Sequence, residues 1–179
     1  MVEPDLRTDD STIRRFNHST IFIANRQRTK KFNFRRLEKI AGALLVDLKV
    51  ENAELGINLV AAREMALINE TFLKHEGSTD VITFDYLNSE SRIQNPEFQL
   101  HGELFICVDE AVLQARKFKT NWQSEIVRYI VHGVLHLLGH RDLKPDLRRK
   151  MKQEENRLLR GLSRKFSLAQ IAGRSKISA

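Results

Sequence analysis

Apolar residues recur along the chain with two periods, and the switches between them mark out the elements. Residues 20–25 (Thr-Ile-Phe-Ile-Ala-Asn) form a short apolar run that predicts a strand. Leu37, Ile40, Ala41, Leu44, Leu45 and Leu48 then recur at helical spacing behind Asn33, a capping residue, so residues 34–49 are predicted helical. Residues 54–60 alternate and predict a second strand. Met65, Leu67, Ile68 and Phe72 predict a helix over residues 64–72, and Glu76-Gly77-Ser78 marks a turn. Residues 80–86 and 101–108 predict two further strands around a polar loop at 87–97. Helices are predicted at 109–117 and 124–138, and a charged one from Pro145 to about residue 159.

The organisation that follows is a polar arm at residues 1–19, one domain at 20–160 and a basic tail at 161–179. The tail after Leu162 is expected to be dispensable for folding, although Phe166, Leu168 and Ile171 leave room for a docked turn. Four strands and about five helices in mixed order point to an α+β (α/β-like) domain with a single sheet flanked by helices.

Composition narrows the class. A chain of 179 residues, 41% hydrophobic and 30% charged, suits one globular domain and excludes a disordered polymer. The longest run without Asp, Glu, Lys or Arg is the twelve residues from 129 to 140. A bilayer needs about 18–20 apolar residues, so no membrane partner is expected. The acidic start, Met1-Val2-Glu3-Pro4-Asp5, lacks the apolar core of a signal peptide, and a cytoplasmic location is expected. The single cysteine, Cys107, excludes an internal disulfide and a cysteine-based zinc site, and reads as a small buried apolar residue.

Charge is unevenly placed. Of the net +7, residues 144–179 carry eleven Lys or Arg against three acids, a balance of +8. A second basic run comprises Arg26, Arg28, Lys30, Lys31, Arg35 and Arg36 with no acid between. Such surfaces either solubilise or attract polyanions, nucleic acid above all.

The candidate chemistry sits in the helix predicted at 124–138. Three of six histidines fall in His132-Gly133-Val134-Leu135-His136-Leu137-Leu138-Gly139-His140-Arg141-Asp142. Apolar neighbours on most sides predict that this helix is buried. His132 and His136 are one turn apart, about 6 Å along the axis, so both imidazoles share a face and can bind one metal ion. Gly139 can end the helix in a left-handed conformation, after which Asp142 or His140 can supply a third ligand. Zinc peptidases carry Glu directly after the first histidine, as H-E-x-x-H; here that position is Gly133. Without its general base a peptidase reading is weak.

The run from His132 to Gly139 resembles the H-G-x-L-H-L-x-G signature of the YbeY endoribonuclease family, also called rRNA maturation factors. Further blocks are similar in the same order: Leu67-Ile68-Asn69-Glu70-Thr71-Phe72, Ser78-Thr79-Asp80-Val81-Ile82-Thr83-Phe84 and His101-Gly102-Glu103-Leu104-Phe105-Ile106. The resemblance spans residues 21–159. It implies a mixed sheet flanked by helices and one divalent metal ion, usually zinc. It also implies a single-strand-directed endoribonuclease acting in 16S rRNA 3′-end maturation and ribosome quality control, with ribosomal RNA or the small subunit as partner. Thr79, Asp80 and Glu103 fall in family-like blocks and are the catalytic candidates.

Two departures stand out. The family's third histidine lies ten positions after the first, where this chain has Asp142; chain reversal after Gly139 favours the same residue over His140, so the expected ligands are His132, His136 and Asp142. The family's Arg after the L-N-x-x-Y block is Leu73 here, leaving Lys74, Arg26 and Arg28 as candidates for RNA contact. The alternative function is an RNA-binding assembly protein with a structural metal, which a fourth protein ligand would favour.

Overall fold

Leu55, Ile57 and Leu59 point to one side of strand β2 (Ala53–Val60), while Gly56 and Asn58 meet Glu103 on the other. This alternation builds a sheet with two unlike faces. The structure, a computed structural model, describes residues 19–87 and 99–173. Strands β1 (Thr20–Asn25), β2 and β4 (Leu100–Cys107) run parallel, and β3 (Val81–Asp85) lies antiparallel to β4 at the edge, in the order β1-β2-β4-β3. The five helices are α1 (Phe34–Asp47), α2 (Ala62–Ile68), α3 (Val108–Phe118), α4 (Trp122–Leu137) and α5 (Pro145–Lys165). The fold is therefore α+β with one mixed four-stranded sheet.

The main core lies between the sheet's Leu55–Leu104 face and the apolar sides of α1, α4 and α5. Helix α1 starts where Asn33 accepts a hydrogen bond from the Arg36 N–H at 3.2 Å, and it buries Leu37, Ile40, Ala41, Leu44 and Leu45. Helix α4 is buried on most sides, as its composition predicts. It approaches β4 closely at Gly133, where an added Cβ would stand 2.6 Å from Leu104 Cδ2. A smaller cluster of Val60, Met65, Ile82 and Cys107 packs α2 on the opposite face.

Two sequence expectations shift. The helix expected over residues 64–72 is α2 followed by a π-helical turn (Asn69–Leu73) that ends at Lys74 with φ 54°. Asn69 is buried there and donates to the Gly77 carbonyl at 2.9 Å, tying the following loop to the helix end. The boundary expected after residue 160 falls inside α5, and residues 161–173 are not a free tail. Leu162 is fully buried, and Leu168 and Ile171 enter the core from a 3-10 turn (Leu168–Ile171). The Asn33 N–H bonds the Ile171 carbonyl at 2.7 Å, and the Gly173 N–H bonds the Lys31 carbonyl at 2.8 Å. The arm up to residue 18, residues 88–98 and residues 174–179 lie outside the described residues.

Candidate metal centre

His132 and His136 project from the last two turns of α4 with their Nε2 atoms 3.0 Å apart. The helix ends in a Schellman turn: Gly139 has φ 91°, its N–H bonds the His136 carbonyl, and the His140 N–H bonds the Leu135 carbonyl. That reversal brings Asp142 back, with Oδ2 3.9 Å from His136 Nε2. One donor atom from each of the three residues lies within 4.8 Å of the others. His140 is exposed and takes part through its carbonyl, which accepts from His136 Nδ1 at 3.0 Å. Arg148 Nε donates to the Asp142 carbonyl at 3.1 Å and holds the returning loop.

The partners of the outer ring nitrogens fix both tautomers. His132 Nδ1 faces Glu155 Oε2 at 3.2 Å, and His136 Nδ1 faces a backbone carbonyl; both partners only accept, so both Nδ1 atoms carry the proton. The two Nε2 atoms then face each other at 3.0 Å, placed either to share a proton or to bind one cation jointly. Donors on a tetrahedral zinc ion at 2.0–2.1 Å stand roughly 3.3 Å apart; here the two Nε2 atoms are 3.0 Å apart and Asp142 Oδ2 is 3.9 Å from His136 Nε2. Among the described residues, these three groups could hold a divalent ion.

Electrostatics support the same use. Burial, then the neighbouring His132 ring, pushes the His136 pKa down, keeping it a neutral ligand. Glu155 is 3% exposed. Burial pushes its carboxyl up, but hydrogen bonds from His132, Lys152 and Arg128 outweigh this and bring the pKa down to about 2. The distances are 2.6 Å to Arg128 Nη1 and 2.7 Å to Lys152 Nζ. A buried carboxylate behind a ligating imidazole orients the ring and raises its basicity.

A cavity of about 180 Å³ is lined by His132 and Asp142 together with Asp80, Arg128, Tyr129, Arg148 and Lys152 among others. The Tyr129 hydroxyl is buried with no hydrogen-bond partner among the described residues, and burial pushes its pKa up. Asp80 uses Oδ1 to accept from the Thr79 hydroxyl at 3.1 Å and from the Val81 N–H at 2.9 Å. Of the catalytic candidates, the structure thus brings Asp80, with Thr79 bonded to it, to the cavity that His132 also lines. Glu103 is elsewhere. Leu104 faces Gly133 of α4, so the preceding side chain points through the opposite face, where Glu103 accepts from Asn58 Nδ2 at 3.3 Å. Among the RNA candidates, Arg26 pairs with Glu64 at 2.6 Å, Arg28 is exposed, and Lys74 is exposed at the end of the π-helical turn.

Glu155 escaped the sequence reading. A signal was present: Met151, Glu155, Leu158 and Leu162 share one face of α5, and the other three are core residues. An acid in that row had to be paired.

No helix among the described residues is long and apolar enough to cross a membrane. A family model described as Endoribonuclease YbeY matches residues 22–163. The chain is similar to proteins named Endoribonuclease YbeY from three bacteria. It is 40% identical to that of Chlorobium phaeovibrioides over 55% of this chain and 61% of the relative. It is 35% identical to that of Myxococcus xanthus over 80% and 47%. It is 34% identical to that of Syntrophotalea carbinolica over 82% and 97%. The matched stretch thus spans less than two thirds of the first two relatives. The solution structure of TM1509 from Thermotoga maritima has the same fold, with a TM-score of 0.61 at 19% identity over 89% of this chain and all of that one. With the His-Gly-x-x-His helix, the third donor and a match over residues 22–163 in agreement, the chain belongs to the Endoribonuclease YbeY family.

Proposed function

We propose that this chain is a metal-dependent endoribonuclease that cuts single-stranded RNA in the cytoplasm. Its substrate would be ribosomal RNA, at the 3′ end of the 16S species, in maturation and quality control of the small subunit. The observation that carries the reading is the convergence of His132, His136 and Asp142 in a chain of this family. Zinc suits a donor set of two imidazoles and a carboxylate. When bound, the ion supplies Lewis acidity to a phosphoryl oxygen and to the attacking hydroxyl. Glu155 holds the His132 ring, and the His140 carbonyl holds His136. Asp80, whose Oδ1 is already bonded, offers Oδ2 to accept the proton of the attacking hydroxyl. Arg148, at the cavity wall, balances phosphate charge.

The peptidase alternative is disfavoured by chemistry: Gly133, packed against Leu104, stands where zinc peptidases carry the general-base Glu. A structural metal is disfavoured because the donor group found among the described residues has three members rather than four. The test is cleavage of a transcript carrying a 16S 3′ end. The parent protein should cut it in a way that chelation abolishes and zinc or manganese restores, and His132→Ala should bind no metal and cut nothing. Parental cleavage by metal-free His132→Ala protein would overturn the proposal.

A further inference from the structure

Several cations of this protein are matched by carboxylates: Arg26 by Glu64, Arg128 and Lys152 by Glu155, Arg157 by Glu154 and Lys165 by Asp47. The surface around the start of α1 is different. Arg28, Lys31, Arg35, Arg36 and Lys39 have no ion-pair partner among the described residues. Glu38 is the one acid between Arg26 and Gly42. Arg35, Arg36 and Lys39 line one hollow with Asn33.

This charge sits on a firm base. Gln27 is 4% exposed and donates to Asn25 Oδ1 at 2.7 Å and to the Lys30 carbonyl at 2.8 Å, while its own Oε1 accepts from the Lys30 N–H at 2.9 Å. The loop that presents Arg28 and Lys31 is thereby fixed. Gly173 pins Lys31 from the other side. Cations held in place lose less entropy on binding an anion than mobile ones do.

Aromatic rings are interleaved with the charges. Phe34 is 41% exposed and lies nearly parallel to Phe32, with centroids 6.4 Å apart and planes 13° apart. Phe32 is itself braced edge-on by Trp122 at 5.1 Å. The Arg36 guanidinium lies over Phe166 at 5.5 Å, which orients it at the rim. A cationic surface carrying a braced, half-open ring is what single-stranded nucleic acid needs: phosphates for the charges and a base for the ring. A folded protein partner or a duplex would have little use for Phe34.

We propose that this surface is a second RNA-binding site, separate from the metal centre, in which Lys31, Arg35 and Lys39 hold backbone phosphates and Phe34 stacks on a base. It rests on the RNA reading above. Trp122, which touches Phe32, opens α4, and His132 and His136 lie ten and fourteen residues further along. At 1.5 Å per residue, the site and the centre are roughly 15–21 Å apart along the helix. The site would therefore hold a strand at a distance from the bond being cut, and would matter for long substrates and not for short ones.

The test is binding of a labelled, unstructured 20-nucleotide RNA to the full chain at several salt concentrations, read by fluorescence anisotropy. The variants are Arg35→Gln combined with Lys39→Gln, and Phe34→Ala alone. The double variant should bind more weakly and lower the slope of log K against log salt by about 1.4, at about 0.7 per lost phosphate contact. Phe34→Ala should weaken binding about fivefold or more with the slope unchanged. Both should keep the parental metal content and helical circular dichroism, raise KM for the 20-mer, and cleave a trinucleotide as the parent does. Parental affinity and slope in both variants would overturn the proposal, as would an equal loss on duplex RNA. Should the parent cut no RNA, the nuclease reading falls, while the binding series still decides whether this surface holds a single strand.

Discussion

Glu155 shows how one side chain links two helices to the chemistry. Its carboxylate receives His132 from α4 and Arg128 and Lys152 from either side, in a place where an unpaired charge would be strongly destabilising. Glu155→Gln keeps the shape but removes the charge that steadies the His132 ring. Metal affinity should fall about 10- to 100-fold, measured by competition with a chromogenic chelator, while the fold persists. A second expectation concerns the turn after α4. His140 contributes its carbonyl, which any residue has, and Asp142 contributes its side chain. His140→Ala should retain the metal and Asp142→Ala should lose it, as metal content at equal protein concentration will show. The sequence made the histidine pair and Asp142 legible because their spacing is a local, one-dimensional property. Glu155 was hidden because it sits next to Glu154 in a helix rich in charge, and only the apolar row of Met151, Leu158 and Leu162 sets it apart.

At the scale of elements, periodicity carried far. The apolar row of α1, the alternation of β2 and β4 and the buried character of α4 are repeated local signals; the predicted elements exist with ends shifted by up to six residues, the 64–72 helix being split into α2 and a π-helical turn. The C-terminal segment failed because its signal is not periodic. Leu168 and Ile171 occupy a turn too short to show a pattern, and they are surrounded by Lys and Arg. Their burial means that residues 163–173 belong to the domain. A chain ending at Leu162 loses two buried aliphatic side chains and the bonds to Asn33 and Lys31. It should be less stable by about 3 kcal/mol or more, seen as a lower urea midpoint. A midpoint equal to that of the full chain would show that the turn contributes nothing.

Across the whole molecule, the sheet separates two environments. One face meets α1, α4 and α5 and carries the core; the other is covered in part by α2 and bears Glu103, Asn58 and Gly56. A two-residue period says that Glu103 and Leu104 face opposite ways, but not which of them meets the histidine helix. That was settled by the contact of Gly133 with Leu104, between residues far apart in sequence, and it is why Glu103 looked as good a candidate as Asp80. The basic run at the start of α1 was legible as charge, whereas its bracing by Gln27, Phe32 and Trp122 was not, since those contacts join separate elements.

The fastening of the 3-10 turn against Asn33 and Lys31 bears on how the protein comes into being. The strand and helix that open the described domain are completed by residues made more than a hundred codons later. At about 5–20 residues per second, Ile171 is added roughly 2–8 s after His132. During that interval the growing polypeptide holds both histidines but lacks Glu155 for part of the time and the closing turn for all of it. The nascent chain therefore passes through a stage in which both histidines are present while the elements packed around them are unfinished.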